Sequence, residues 1–316
     1  MSALTPKPLS EVLRHHAALC VKPIFWIPPL LDILGCRFQQ VEDETANPID
    51  DEPAEPAKPA KRAKRRLMSD EEVAQLTPCK LAVLNLAAPG IHVAKHGGIN
   101  NLFYYDEQGR FEECGTRANF FFANRHVHRS ECSIFAPNDR TGPRSRLLVG
   151  YFHYSYVEKA RRRKLEAPWP PLGFRGYRNR PVERINRKKL SKVTPDEWSR
   201  DPYLVCLLLS LAQRQARSLA SPRQTTYLSR LLVTTTKKPD LYRFIFLYEA
   251  EITSQLLDSL DNPTCATERT AWPTIKLKRI PFRPFDTFQE RLIAELMAPN
   301  PLGHNEALPI RGGKKE

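Results

Sequence analysis

Hydrophobic and polar positions are most regularly patterned in the last third of the chain. Residues 202–219 (PYLVCLLLSLAQRQARSL) start with proline and are apolar on every side over their first half, which predicts a deeply buried helix. Apolar, β-branched runs at 227–235 and 241–252 flank Lys-Lys-Pro-Asp and predict a hairpin. A strictly alternating run follows at 274–280 (TIKLKRI) and predicts another strand.

Capping residues predict two more helices in the same region. Thr253 precedes a helical pattern that reaches Leu260, and threonine is a favoured N-cap. In the run 286–297 (DTFQERLIAELM), Asp286 is followed three residues later by Gln289, which is the spacing of a capping box. The predicted order is helix, strand, strand, helix, strand, helix.

Residues 78–156 are rich in aromatic and β-branched side chains, which favour strands. Gly109 can adopt the left-handed conformation that a tight hairpin requires. The predicted strands are 80–87 (KLAVLNLA), 101–106 (NLFYYD), 110–114 (RFEEC), 118–123 (ANFFFA) and 146–157 (RLLVGYFHYSYV).

The first 77 residues contain a helix and two kinds of connecting segment. We expect a helix over Leu9–Leu19 and an apolar strap on the core after it. The apolar window 19–36 contains three prolines, a lysine and an aspartate, so it does not fit a membrane-spanning helix. Residues 41–72 hold few large apolar side chains, many acids and repeated Pro-Ala, which predicts a disordered linker.

These elements predict an α+β fold, in which an antiparallel sheet is covered by helices, with a disordered linker and a basic Pro-rich connection. Whether 78–298 forms one domain or two stays open. The predicted division is 1–40 (N-terminal helix and strap), 41–77 (linker), 78–298 (strand-rich 78–156, basic connection 157–198, α/β part 199–298) and 299–316 (flexible tail).

The net charge of +14 is concentrated in two segments. Residues 58–66 (KPAKRAKRR) hold six cations and no acid, and residues 157–192 hold thirteen cations and three glutamates, so the remainder is slightly acidic. Clustered lysine and arginine on a flexible chain suit an importin groove and also attract phosphates. The first run therefore predicts nuclear targeting through Lys61, Arg62, Lys64, Arg65 and Arg66, although a solvated linker has the same composition.

The second basic segment interleaves arginines with aromatic side chains, which suits single-stranded nucleic acid or another polyanion. The alternative is a Pro-rich loop whose rings pack on the domain while its charges face water. The candidate contact residues are Arg161, Arg162, Arg163, Trp169, Arg175 and Tyr177.

The seven cysteines are odd in number and widely scattered, so we expect no disulfides and an intracellular setting. Cys114, His126, His128 and Cys132 are the densest set of metal-ligand side chains, and two cysteines with two histidines can hold zinc. Their spacing, however, lacks the close cysteine pair of a zinc finger. Surface histidines and half-buried thiols remain the alternative.

Carboxylates in the predicted hairpin over 227–252 suggest a weaker candidate, a nuclease-like magnesium site. Asp240, Glu249 and Glu251 would supply the acids, with Lys237 or Lys238 nearby. An acid-x-Lys motif is absent, since Glu249-Ala-Glu251 stands in that place. A solvated strand edge explains the two glutamates equally well.

Four runs resemble uncharacterised proteins of filamentous fungi: NNLFYYDEQGRFEECG, FFFANRHVHRSEC, DPYLVCLLLSLAQRQ and RIPFRPFDTFQERLIAEL. The resemblance covers most of residues 78–298 and implies a fungal source but no activity.

The sequence thus favours a non-enzymatic nuclear protein, either an interaction factor or a nucleic-acid-associated one. The alternative is a metal-dependent enzyme such as a divergent nuclease. Nuclear localisation is expected, and sharing with the cytoplasm is left open.

Overall fold

Seven strands form one sheet in the computed structural model, which describes residues 9–14, 21–41, 76–89, 92–138, 147–165, 179–218, 224–237, 241, 243–265 and 271–298. The strands are β1 (Arg37–Gln40), β2 (Phe111–Phe122), β3 (Arg125–Pro137), β4 (Leu148–His153), β5 (Thr226–Thr234), β6 (Phe244–Thr253) and β7 (Thr274–Pro281). Their spatial order is β1-β7-β6-β5-β4-β3-β2.

The sheet is mixed, which corrects the predicted antiparallel sheet. Strand β4 pairs with β5 in parallel, and β1 pairs with β7 in parallel, whereas the other four pairs are antiparallel. The chain between β4 and β5 runs through helices and returns to the same end of the sheet, which is how parallel neighbours are joined. The carboxyl ends of β4 and β5 therefore meet at one edge.

Nine α-helices cover the two faces of this sheet in the described part of the chain. They are α1 (Leu9–Arg14), α2 (Pro28–Leu34), α3 (Pro78–Ala87), α4 (His92–Tyr104), α5 (Ser155–Leu165), α6 (Arg180–Val193), α7 (Pro202–Ala216), α8 (Ser254–Asp261) and α9 (Phe288–Met297).

Helix α7 is the centre of the larger core. Leu204, Leu207, Leu208 and Leu211 are fully buried in it, and each buried leucine contributes about 1.5–3 kcal/mol of hydrophobic stabilisation. The segment 21–41 and helices α5 and α8 share this face. The opposite face packs on α3, α4 and α9, so the architecture has three layers.

The predicted order over the last hundred residues is confirmed. Helix α7, the antiparallel β5–β6 hairpin, α8 and β7 occur where expected, and Thr253 Oγ1 accepts the Leu256 amide as an N-cap. The capping box is wrong: α9 starts at Phe288 and has no side-chain cap. Asp286 instead lies 3.0 Å from Lys80 Nζ, and Gln289 donates to the Leu102 carbonyl.

Two predicted strands are helices. Residues 80–87 lie in α3, because Thr77 accepts the Lys80 amide and Pro78 occupies the first turn, a strong helix-start combination. Residues 101–106 largely belong to α4, and Gly109, with a φ of 56°, lies in the turn from α4 to β2 rather than in a hairpin. The β2–β3 hairpin instead turns at Ala123 and Asn124, which both have positive φ.

The predicted strand at 146–157 ends at His153, where the chain enters α5. Strand β3 was not predicted, because its polar start at 125–131 (RHVHRSE) resembles an exposed turn. Of the predicted helix over Leu9–Leu19, the structure describes only the part that forms α1, Leu9–Arg14. The predictions for the linker at 42–75 and for the tail at 299–316 fall outside the described residues.

Within the described ranges, every helix is too short or too polar to cross a bilayer. The six cysteines in these ranges are free thiols: Cys36, Cys79, Cys114, Cys132, Cys206 and Cys265.

Candidate nucleic-acid interface

Helix α5 turns one arginine of its basic run into the core and leaves its neighbours at the surface. The run Lys159–Lys164 reads KARRRK. Because an α-helix has 3.6 residues per turn, Arg161 faces away from Lys159, Arg162 and Arg163. Arg161 is 1% exposed, whereas the other three side chains are exposed.

Arg161 forms a buried two-pronged ion pair with Asp201. The Nη1–Oδ2 distance is 2.5 Å and the Nη2–Oδ1 distance is 2.8 Å, while Nε donates to the Ile24 carbonyl at 2.7 Å. Burial lowers the pKa of Arg161, but the hydrogen bonds and charge of Asp201 outweigh it and the pKa is raised. Arg161 is therefore structural, which contradicts its predicted contact with nucleic acid.

The second basic segment is helical over residues 155–165 and 180–193, where the sequence predicted a Pro-rich connection. Helix α6 starts where the Asn179 Oδ1 accepts the Val182 amide, with Pro181 in the first turn. Proline suits that position because its missing N–H is not needed there. Helix α6 packs against α5 and has no fully buried residue.

One face of α6 carries Arg180, Arg184, Arg187 and Lys188, which are spaced i, i+4, i+7 and i+8 and so share a face. On α5, Lys159, Arg162 and Arg163 share a face in the same way. We call the exposed cations of both helices the basic α5–α6 surface. It comprises Lys159, Arg162, Arg163, Lys164, Arg180, Arg184, Arg187, Lys188, Lys189 and Lys192.

Only two carboxylates accompany these ten cations within the helices, and both are half-buried. Glu183 lies in the first turn of α6. Glu158 lies in the first turn of α5, where its Oε1 is 3.1 Å from Lys237 Nζ. The surface therefore has a strong excess of positive charge, which favours polyanions.

The sequence interpretation missed that these cations are held on helices. The cap Asn179-x-Pro181 and the i, i+4 spacing of arginines were the available signals. The other predicted contact residues, Trp169, Arg175 and Tyr177, and the targeting residues Lys61, Arg62, Lys64, Arg65 and Arg66 fall outside the described residues.

The proposed zinc ligands are not brought together. Register pairs Phe121 with His126 and Gly115 with Ile134, so Cys114 and His126 are separated by seven strand positions, or about 23 Å. The described residues include no group of three or more His, Cys, Asp or Glu side chains arranged to hold a metal.

Each of these four side chains has its own packing contacts. Cys114 Sγ donates to the Ile134 carbonyl at 3.4 Å, and His126 stacks edge-on against Phe121. Burial raises the pKa of Cys132 to about 12, which disfavours the thiolate that a metal binds. His128 Nε2 is 2.9 Å from the Tyr203 hydroxyl. Burial, with the nearby charges of His126, Lys22 and Lys164, lowers the pKa of His128 to about 4.

Two carboxylates of the nuclease hypothesis, Glu249 and Glu251, line one pocket together with Lys276, but Glu249 already has a close partner. Glu249 accepts a hydrogen bond from Arg230 Nε at 2.5 Å, and Arg230 is only 4% exposed. Arg230 also donates to the carbonyls of Leu296 and Ala298, so this pair ties the sheet to the end of α9. Glu251 lies two residues further along β6.

The remaining members of that hypothesis do not strengthen it. Lys237 pairs with Glu158, and Asp240 and Lys238 fall outside the described residues. The geometry therefore gives Glu249 a structural partner rather than a metal.

Comparisons of the chain with protein-family models, with curated proteins and with solved structures found no match.

Proposed function

We propose that the protein is a non-enzymatic, nuclear, nucleic-acid-associated protein that contacts single-stranded nucleic acid through the basic α5–α6 surface. The supporting observation is the exposed row of Arg180, Arg184, Arg187 and Lys188 on α6, beside the exposed cations of α5. Nuclear targeting is assigned to the run 61–66.

Phosphate is the ligand group that this surface suits best. Guanidinium groups match phosphate oxygens with two parallel hydrogen bonds, and arginine supplies five of the ten exposed cations. The row from Arg180 to Lys188 spans about 12 Å along the helix. It can therefore neutralise more than one phosphate of the same strand.

Helical placement also explains why Arg161 and its neighbours differ in role. The Arg161–Asp201 pair fixes α5 on the core at 2.5 Å, which orients Lys159, Arg162 and Arg163 outward. The basic surface is thus built on a rigid support, and less ordering entropy is lost when a strand binds.

Binding of a labelled single-stranded RNA or DNA oligonucleotide, measured by fluorescence anisotropy over a range of salt concentrations, tests this function. The variant combines Arg163→Gln, Arg184→Gln and Arg187→Gln. The binding constant falls as salt rises, and each phosphate contact adds about 0.7 to the steepness of log K against log salt. We therefore expect the triple variant to bind more weakly and to show a slope that is less steep by about 2.

The matched control combines Arg125→Gln, Arg243→Gln and Arg283→Gln, three exposed arginines on other elements. It removes the same charge from the chain, so binding and slope should stay close to wild type if the α5–α6 surface is the contact. Equal weakening by both triple variants, or no weakening by the first, would refute the proposal.

A further inference from the structure

A cavity of about 370 Å³ lies at the edge where the parallel strands β4 and β5 end. Its lining includes His153 at the end of β4, Ser133 on β3, His96 on α4 and Tyr156 on α5. Ligands of open α/β sheets bind beyond the carboxyl ends of parallel strands, and pockets of this size hold small organic ligands.

Buried polar groups line its inner side. Ser133 Oγ is 2.6 Å from His96 Nε2. Behind the lining residues Tyr151 and His153, Thr234 Oγ1 is 2.8 Å from the Tyr151 hydroxyl and 2.9 Å from His153 Nδ1. Ser133, Tyr151, His153 and Thr234 are each no more than 3% exposed. Polar groups are costly to bury, so this buried set suits recognition of a polar ligand.

Two kinds of chemistry fit this set poorly. No carboxylate among the described residues contacts the other nitrogen of His96, so the Ser133–His96 pair lacks the third member of a catalytic triad. The described histidines, cysteines and acids do not form a metal site. The arrangement therefore favours binding over hydrolysis.

The outer wall is mixed: the exposed Thr116 and Glu131 stand there beside Val93 and Tyr156. The charge of Glu131 is paired, since its Oε1 lies 3.4 Å from Arg117 Nε. Tyr156 contributes a half-buried ring, and Val93 stands at the mouth with 62% of its surface exposed. A flat heterocycle with polar edges matches such a site, because its faces can stack on the ring while its edges hydrogen-bond to His96 and Ser133.

The cavity and the basic α5–α6 surface are neighbours along α5, because Tyr156 lines the cavity. Tyr156, Lys159 and Arg163 occur at i, i+3 and i+7 on α5 and so share one helix face. Lys159 follows Tyr156 by about 4.5 Å along the helix axis. A base in the cavity would therefore place its attached phosphate beside a lysine.

We propose that this cavity binds the base of a nucleotide, with the phosphate held by Lys159. The choice of a nucleotide among flat heterocycles rests on the proposed function, because it derives from the adjacent cations. The cavity would read one base of a strand that lies on α5 and α6.

Nuclear magnetic resonance of the full chain with labelled histidine rings tests the cavity, using cytidine and adenosine 5′-monophosphate as probes. We expect both to shift the His96 and His153 ring signals, and ribose 5-phosphate to leave them unchanged. Absence of a shift with both nucleotides, or an equal shift with the sugar phosphate, overturns the proposal.

Val93→Trp should block the mouth and weaken nucleotide binding about tenfold, the loss expected for one stacked base. Tyr104→Trp is the control, because Tyr104 lies at the other end of α4 and is 80% exposed. Unchanged affinity in Val93→Trp contradicts the site. Both variants alter exposed positions, so folding is retained.

The two proposals can fail separately. Nucleotide shifts without oligonucleotide binding would refute the α5–α6 function and keep the cavity as a nucleotide site. Oligonucleotide binding without nucleotide shifts would refute the cavity and leave the surface function intact.

Discussion

Asp201 is a fully buried carboxylate that accepts hydrogen bonds from three different residues. It accepts two hydrogen bonds from Arg161, one from the Tyr154 hydroxyl at 2.6 Å and one from the Tyr203 amide at 2.9 Å. The last bond caps α7. Because Arg161 also donates to the Ile24 carbonyl, the carboxylate joins α5, α7 and the N-terminal strap at one point.

We expect Arg161→Ala to lower the free energy of unfolding by about 3–5 kcal/mol, because it leaves the buried Asp201 carboxylate without its counter-charge. Arg163→Ala on the same helix should change it by less than about 0.5 kcal/mol, since that side chain is exposed. Urea denaturation of both variants measures the difference. Similar losses for the two would show that the buried pair is not a main support of the fold.

The inward arginine was not predictable from its neighbourhood. The run KARRRK contains five adjacent or near-adjacent cations that the sequence does not distinguish, and Asp201 is forty residues away from Arg161. Helical periodicity separates Arg161 from Arg162 and Arg163 only once the run is known to be a helix. The zinc hypothesis for Cys114, His126, His128 and Cys132 failed similarly, because closeness in sequence becomes distance along a hairpin.

At the scale of elements, α3 and α4 pack closely through a glycine. A Cβ atom on Gly98 would lie 2.9 Å from the Ala82 carbonyl oxygen and 3.1 Å from Leu86 Cγ. A Cβ atom on the preceding residue, Gly97, would have no other heavy atom within 4 Å. The absence of a side chain at Gly98 therefore sets the distance between the two helices.

Gly98→Ala should destabilise the protein by about 1–3 kcal/mol, because the added methyl group overpacks the α3–α4 contact. Gly97→Ala in the same helix should instead stabilise it by up to about 1 kcal/mol through helix propensity. Thermal unfolding midpoints of the two variants check this. A lower midpoint for both, or a raised midpoint for Gly98→Ala, would contradict the packing argument.

Elements with strong local signals were predicted well. Helix α7 is apolar throughout its first half, and Thr253 caps α8 as expected. Helix α3 was mistaken for a strand because Lys80–Ala87 also fits an alternating pattern, whereas Thr77-Pro78 was the decisive signal. The α5–α6 surface was missed because charge and proline content obscured its helical spacing.

At the scale of the whole molecule, positive charge is unevenly distributed. The basic α5–α6 surface holds ten exposed cations, and residues 58–66 hold six more. The described part of the second basic segment lies on helices α5 and α6. The first run remains a proposal for nuclear targeting.

Replacing Lys61, Arg62, Lys64, Arg65 and Arg66 by alanine should move a fluorescent fusion from the nucleus to the cytoplasm, because an importin groove reads clustered cations. Imaging in living cells measures the ratio between compartments. The triple control Arg125→Gln, Arg243→Gln and Arg283→Gln should stay nuclear. Nuclear signal that persists in the five-alanine variant, even when combined with Arg163→Gln, Arg184→Gln and Arg187→Gln, would refute targeting by either run.

The topology of the sheet was the least predictable feature. The β5–β6 hairpin follows from adjacent sequence. The parallel β4–β5 pair instead joins Leu148 to Ser229 across three helices. Side-chain alternation does not specify which distant strand becomes a neighbour, so the cavity at the end of this pair could not be predicted either.

Strand β1 has a consequence for how the protein is made. It pairs Arg37 with Thr274 and Gln40 with Leu277, so its partner leaves the ribosome more than two hundred residues after it. During that interval Trp26, Leu30 and Leu31, which end up buried, have no completed surface to pack on. Such long-range pairing slows folding and exposes apolar surface, so the nascent chain should depend on chaperones until β7 is synthesised.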